Sequence, residues 1–166
     1  IILCGDLGNT LKQFLQAVRS RPDCRSFVLV DADDVVDMEK VSPAEHLRLT
    51  QSWVPADKGI SDRQIHLMVV EMESWFLADQ ETLRSFYGRE FGEKHLPPPG
   101  RLEQFSKDDL RKALKAATRK TGKGEYHKIR HGRPLLERID VSLLHKHAPS
   151  FRRLVDCIKK CGVGSA

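Results

Sequence analysis

Three aspartates near the start of the chain offer one prospect of metal chemistry. Asp31, Asp33 and Asp34 come directly after a short apolar run that ends at Val30. Such a run predicts a buried strand, and open α/β sheets bind their ligands beyond the carboxyl ends of their strands. Carboxylate oxygens are the ligands that Mg²⁺ or Mn²⁺ prefers. Because aspartate is also a common turn residue, a solvated strand-to-loop turn is the alternative.

Two glutamates repeat this pattern after the next apolar run. Glu71 and Glu73 follow residues 65–70, which predict a second buried strand. Neighbouring parallel strands lie about 5 Å apart, so acids at both strand ends could share one cation. The alternative places Glu73 at a helix N-terminus, where the helix dipole stabilises a carboxylate. The predicted metal ligands are Asp31, Asp33, Asp34 and Glu71.

A basic segment at residues 119–133 could hold phosphate groups. It contains six Lys or Arg residues, three glycines that can leave backbone amides open to phosphate, and aromatic rings that could stack on bases. This composition is typical of a track that contacts a nucleic-acid backbone with little sequence readout. His131 and Lys128 could also act in proton transfer. The alternatives are a solvated loop or pairing with acidic residues of the same protein. The residues predicted to contact nucleic acid are Lys120, Lys123, Tyr126, Lys128, Arg130, His131 and Arg133.

The elements that would position these residues alternate between strand and helix. Apolar runs predict strands at 1–4, 26–30 and 65–70, and helical spacing predicts a helix after each. Asn9 or Thr10 can cap the first helix, and Ser42 caps the second. This order favours a mostly parallel α/β sheet flanked by helices. We expect His66 to lie in the core, as well as the aromatic residues Trp75, Phe76, Phe86 and Tyr87.

The second half of the chain is helical and basic. Residues 1–81 carry 14 acidic and eight basic residues, a net charge of −6, whereas residues 82–166 have a net charge of +11. A cation site in one half and a polyanion near the other would explain this asymmetry, but so would two oppositely biased solvated surfaces. We divide the chain into an acidic α/β part (1–96), a basic helical part of the same domain (97–161) and a tail (162–166).

Length and composition exclude several classes of protein. A chain of 166 residues with 40% hydrophobic residues can bury a core, which argues against disorder. We expect no membrane association, because the apolar runs are far shorter than a membrane span. The four scattered cysteines predict reduced thiols and a cytoplasmic location. The chain begins inside an apolar run without an initiator methionine, so we expect an N-terminal piece to be missing.

Two stretches of the sequence resemble a known bacterial family. The run HLMVVEMESWFLAD at 66–79 and the run KAATRKTGKGEYHK at 115–128 are similar to the signature of domain-of-unknown-function family 4276. Val30-Asp31, Tyr87-Gly88 and Leu96-Pro97 also lie where that family has similar residues. The resemblance covers nearly the whole chain.

The resemblance implies a Toprim-like, and therefore Rossmann-like, α/β fold. Toprim domains hold Mg²⁺ for phosphodiester chemistry, and relatives are often encoded beside ABC-class ATPases in phage-defence loci. In the Toprim pattern a glutamate follows an early strand and an aspartate pair follows a later one. Asp31 and Asp33 match that pair. The early glutamate has no match in this sequence and is expected upstream of Ile1.

The sequence therefore predicts a Mg²⁺- or Mn²⁺-dependent nuclease that acts on DNA or RNA, with a possible ABC-class ATPase subunit as partner. Glu71 and Glu73 would bind the metal or act as bases for an attacking water. Lys123 and Lys128 would hold the scissile phosphate. The alternative function is a non-catalytic module that binds nucleic acid or an ATPase.

Overall fold

A computed structural model describes residues 6–54 and 59–162 of the chain. The architecture is mixed α/β with helix predominating. Its two β-strands in the described residues are β1 (Val28–Asp31) and β2 (Ile65–Met68). The α-helices are α1 (Leu7–Ser20), α2 (Pro43–Gln51), α3 (Met72–Ala78), α4 (Gln80–Tyr87), α5 (Lys107–Thr118), α6 (Lys128–Leu136), α7 (Val141–His147) and α8 (Pro149–Gly162). Short 3₁₀ turns lie at Asp62–Gln64, Glu93–His95 and Pro99–Gln104.

The two strands pair in parallel, as the sequence predicts. Val28 lies opposite Ile65, and Asp31 lies opposite Met68. Two further backbone hydrogen bonds, Ala32 N–H to Met68 and Asp33 N–H to Val70, continue the contact beyond the ends of both strands. The acidic segments that follow β1 and β2 are therefore held side by side. The strand predicted at 1–4 lies outside the described residues.

Side-chain caps fix where most of the helices in the first half begin. Ser42 Oγ accepts the Glu45 N–H, and Asp79 Oδ1 accepts the Thr82 N–H at the start of α4. The cap predicted for the first helix is wrong by one turn. Asp6, rather than Asn9 or Thr10, caps α1, because its carboxylate accepts the Asn9 N–H.

The basic segment is more helical than its glycines and proline indicate. The sequence predicts a short helix around Leu135, but α6 already begins at Lys128 and includes Gly132 and Pro134. A substituent at the Gly132 Cα would lie 3.2 Å from the Met72 side chain, so glycine allows α6 to approach α3 closely. Lys128 therefore lies on a helix packed against the acidic half rather than on a loop.

One hydrophobic core joins the two halves of the chain. Leu67 and Phe76 from the acidic part pack in the same buried cluster as Leu110 and Leu135 from the basic part. The predicted core aromatic residues and His66 are all buried. Cys24, Cys157 and Cys161 are free thiols, whereas Cys4 lies outside the described residues.

No helix in residues 6–54 and 59–162 has the length and apolar character needed to span a membrane.

Candidate functional site

The carboxylates predicted to meet at the strand ends do meet there, but they lie among basic side chains. We call this group the strand-end cluster. Its members are Asp31, Asp33, Glu71, Glu73, Lys107, Arg111 and Lys128. Asp31 is the last residue of β1, the other acids follow β1 and β2, and the bases come from α5 and α6. Four acidic and three basic side chains thus share one edge of the sheet.

Glu71 is held by an arginine that the sequence analysis did not select. Its side chain is 0% exposed, and its oxygens accept hydrogen bonds of 2.7 and 2.5 Å from Nε and Nη2 of Arg111. This bidentate geometry is the strongest form of arginine–carboxylate contact. Burial raises the pKa of Glu71, while the Arg111 hydrogen bonds oppose the rise and the Glu73 charge adds to it. Glu71, predicted as a metal ligand and a base, therefore has both oxygens engaged within the protein.

Glu73 is equally buried but only half satisfied. It lies in the first turn of α3, as the helix-terminus alternative expects, and its side chain is 1% exposed. Tyr126 donates a 2.8 Å hydrogen bond to Oε1. Oε2 has no hydrogen-bond partner among the described residues, although Lys128 Nζ lies 3.6 Å away. An ion-pair contact of this length is longer than a charge-assisted hydrogen bond.

The aspartates are nearer to solvent. The side chains of Asp31 and Asp33 are 29% and 43% exposed. Lys128 Nζ lies 3.8 Å from Asp31 Oδ2, and Lys107 forms an ion pair with Asp33. Burial raises the pKa of Asp31, Lys128 opposes the rise, and the charges of Asp33 and Glu73 add to it. Asp31 Oδ1 is itself buried and has no hydrogen-bond partner within the described part of the chain.

Backbone geometry explains how Asp33 reaches the cluster. Its φ angle is 64°, in the left-handed region where Asp and Asn are enriched among non-glycine residues. The turn there directs the chain away from the strand while its N–H stays bonded to Val70. Asp34 does not take part in the same way. It is exposed, and its carboxylate accepts the adjacent Val35 N–H in the loop.

Helix α5 supplies two cations that the sequence analysis missed. Lys107 and Arg111 are four residues apart, so they lie on one face of the helix. Lys107 Nζ is also 3.8 Å from Glu71 Oε2, so it bridges the acids of both strands. The signal in the sequence was this spacing together with the opposite net charges of the two halves.

The predicted nucleic-acid residues divide into exposed and buried sets. Tyr126 and His131 are only 7% exposed, so in this structure their rings belong to the core and are not free to stack on bases. Lys123 lies over the Phe86 ring, with Nζ 4.9 Å from its centroid. Arg133 is exposed and forms an ion pair with Glu137 at 2.8 Å. The remaining predicted residues are Lys120, Lys128 and Arg130, and all three are exposed.

His131 fixes the start of α6. Its Nδ1 accepts the backbone N–H of His127 at 3.2 Å and lies 3.0 Å from the Tyr87 hydroxyl. Because a backbone N–H can only donate, Nδ1 must be unprotonated in this arrangement. Burial lowers the pKa of His131, and the neighbouring Arg130 adds to this effect. His131 thereby positions Lys128, which is in the adjacent first turn.

Only some carboxylates of the strand-end cluster have oxygens that are not already bonded within the protein and could bind a divalent cation. Among the described residues, no group of three or more His, Cys, Asp and Glu side chains is arranged to hold a metal ion. Two of the three buried side-chain polar atoms without a hydrogen-bond partner there are Asp31 Oδ1 and Glu73 Oε2. Hard carboxylate oxygens that lack donors are suitable ligands for Mg²⁺. Asp31 and Glu73 therefore each keep one oxygen without a donor, whereas both oxygens of Glu71 are bonded to Arg111.

Comparison with known proteins gives a family but no activity. No curated protein and no solved structure matches the chain. A family model with the description "Domain of unknown function (DUF4276)" matches residues 5–159. This match covers both strands, all the residues of the strand-end cluster and the basic segment. The chain therefore belongs to the DUF4276 family of domains of unknown function.

Proposed function

We propose that the chain is a metal-dependent nuclease or phosphodiester-processing subunit that acts on nucleic acid, with the strand-end cluster as its centre. The supporting observation is that Asp31 and Glu73 each have one buried carboxylate oxygen without a donor among the described residues, and that Lys128 Nζ lies 3.8 Å from the other Asp31 oxygen, Oδ2, and 3.6 Å from Glu73 Oε2. In a Toprim-like arrangement, which we also propose, Asp31 and Asp33 would be the aspartate pair that follows a strand.

The basic residues of the cluster would bind the phosphate. Lys128 Nζ is 3.8 and 3.6 Å from its two carboxylates, so it is held mainly by charge and can turn toward an incoming phosphate oxygen. Arg111 uses Nε and Nη2 for Glu71, and its side chain is still 41% exposed. The side of the Arg111 guanidinium that is not bonded to Glu71 can therefore donate a hydrogen bond to a second phosphate oxygen. Cations in these positions offset the charge that develops during phosphoryl transfer.

Glu71 would act as a positioning residue. Its bidentate bonds orient the guanidinium of Arg111, and burial prevents solvent from competing for them. Tyr126 plays the matching part for Glu73, because its hydroxyl occupies Oε1 and leaves Oε2 toward Lys128. A bound Mg²⁺ held by Asp31 and Glu73 would supply polarisation of a phosphoryl oxygen and ionisation of a water molecule.

The test uses the full-length protein with end-labelled single-stranded and double-stranded DNA and RNA. Cleavage should require Mg²⁺ or Mn²⁺ and stop with EDTA. Asp31→Asn and Glu73→Gln should each lower the cleavage rate on the order of 100-fold. Asp37→Asn is the matched control, because Asp37 is an acid that pairs with Lys40 at 2.7 Å outside the cluster. Cleavage that persists in EDTA or in Asp31→Asn would contradict the proposal.

A second candidate function is a non-catalytic module that binds nucleic acid. The observation that favours it is internal neutralisation: Lys107, Arg111 and Lys128 already pair with the carboxylates. This module would bind nucleic acid with an affinity that falls steeply with salt and is indifferent to chelator. Binding that is unchanged by EDTA, together with no cleavage of any substrate, would favour it over the nuclease. The ABC-class ATPase partner stays a prediction.

A further inference from the structure

The most exposed large hydrophobic side chain in the described residues stands beside the strand-end cluster. Ile129 is 86% exposed, whereas the other exposed large hydrophobic residues there lie between 38% and 63%. It is in the first turn of α6, directly after Lys128. A single exposed aliphatic residue is ordinary on a protein surface and by itself indicates no function. The residues around Ile129 are what distinguish it.

Those surroundings are basic. Lys128 and Arg130 are its sequence neighbours, and Arg133 is one helical turn along the same face. Arg133 and Arg130 are exposed, and the Lys128 side chain is 48% exposed. The first turn of α6 contains no acidic residue. One aliphatic side chain among cations gives a protein partner little apolar area to bury. The same arrangement suits a polyanion that has charged groups on its outside and apolar surfaces in its interior.

The base stack of a nucleic acid has this combination of charge and apolar surface. Proteins that kink a duplex insert an Ile, Leu, Phe or Met side chain between two base pairs while cations hold the adjacent phosphates. The α6 helix holds Ile129 rigidly, because His131 fixes the His127 N–H and Leu135 is buried in the core. Because unstacking a base step costs free energy, the side chain that acts as the wedge must be held rigidly.

We propose that Ile129 is a wedge that unstacks one base step of a double-stranded nucleic acid next to the strand-end cluster. This inference rests on the proposed function, because it takes nucleic acid as the substrate and makes its class a duplex that is deformed on binding. Arg130 and Arg133 would hold the phosphates on either side of the step. Lys128 would link the wedge to the carboxylates, since its ammonium lies between Asp31 and Glu73.

The test places the fluorescent base 2-aminopurine at successive positions of DNA and RNA duplexes, with the full-length protein in EDTA so that no cleavage occurs. Wild-type protein should raise the fluorescence at one step. Ile129→Ser should reduce that rise by about fivefold, because a small polar side chain cannot replace the stacked base, while Ile129→Leu should retain it. Ile158→Ser, at an isoleucine on α8 that is 49% exposed, is the matched control. Binding of single strands should change less than about twofold in every variant, because phosphate contacts dominate there.

Each outcome separates this inference from the proposed function. An Ile129→Ser protein with the full fluorescence rise, or a wild-type protein that raises none, would overturn the wedge. The same holds if the chain binds no duplex, or if Ile129→Ser weakens only the binding of a protein partner. A rise that depends on Ile129, without cleavage in Mg²⁺ or Mn²⁺, would support the wedge and remove the nuclease proposal.

Discussion

The two strands end in acids with the same spacing, but their surroundings differ. After β2, Glu71 and Glu73 are at most 1% exposed, and Arg111 and Tyr126 bind them at 2.5–2.8 Å. After β1, Asp31 is 29% exposed and its nearest cation, Lys128, is 3.8 Å away. The β2 end is therefore the more firmly held of the two, with Glu73 Oε2 as its one carboxylate oxygen that has no hydrogen-bond partner among the described residues. The β1 end keeps carboxylates that solvent and ligands can reach.

This difference teaches that matching motifs need not have matching roles. Close donors offset the charge of a buried carboxylate, and each oxygen that they bind is removed from other chemistry. A half-exposed carboxylate can keep a loose partner, because water stabilises its charge. Of the four acids at the strand ends, only Asp31 and Glu73 keep a buried oxygen that has no hydrogen-bond partner among the described residues.

The largest expected effect would come from breaking the support after β2. Arg111→Met should lower the free energy of unfolding by about 3–5 kcal/mol, because it leaves the fully buried Glu71 without its bidentate partner. Glu71→Gln should cost less, since the Arg111 side chain is 41% exposed and can turn to water. Urea unfolding measures both. Equal losses in the two variants would show that Glu71 is more accessible than the structure places it.

A smaller effect should appear as a contribution of β2 to the pH dependence of stability. Opposite Leu29 on β1, β2 carries the buried His66, whose Nδ1 lies 3.1 Å from Arg153 and whose Nε2 is 3.0 Å from the Arg63 carbonyl. Burial, with Arg153 adding to it, lowers the pKa of His66 to about 4. The unfolded chain binds this proton more tightly, so the contribution of His66 to stability should rise by about 3 kcal/mol as pH increases from about 4 to 6.5. The raised pKa values of Asp31, Glu71 and Glu103 act in the opposite direction, because their folded forms hold protons more tightly than the unfolded chain does.

The measurement for His66 is urea unfolding at a series of pH values. The stability difference between wild-type protein and His66→Gln should grow across that window, whereas the difference between wild-type protein and His95→Gln, which replaces an exposed histidine, should stay constant. A wild-type to His66→Gln difference that is constant between pH 4 and 6.5 would contradict the neutral, hydrogen-bonded state of His66.

The smallest effect should come from the half-exposed pair after β1. Asp33→Asn removes the ion pair with Lys107 but keeps a residue that tolerates the φ of 64°, so it should cost less than about 1 kcal/mol. Asp33→Ala should cost about 1 kcal/mol more, because alanine strains that backbone conformation. Thermal or urea unfolding compares them. A loss for Asp33→Asn as large as that for Arg111→Met would erase the contrast between the two strand ends.

Local patterns predicted much of the fold. The two strands, their parallel pairing and the cap at Ser42 follow from rules of apolar spacing, element order and side-chain capping. The predicted helix around Leu135 is too short, because α6 already begins at Lys128. Close packing of α6 against Met72 accompanies this longer helix.

The sequence by itself determined which carboxylates could meet, because parallel strands must end at the same edge of a sheet. It also determined that a basic half accompanies an acidic half. Only the tertiary structure decided that Lys107, Arg111 and Lys128 lie among those carboxylates, and that Tyr126 and His131 are buried supports. The physical reason is that the number of charged residues does not specify which of them come into contact. The packing of α5 and α6 against the sheet places each cation beside a particular carboxylate oxygen.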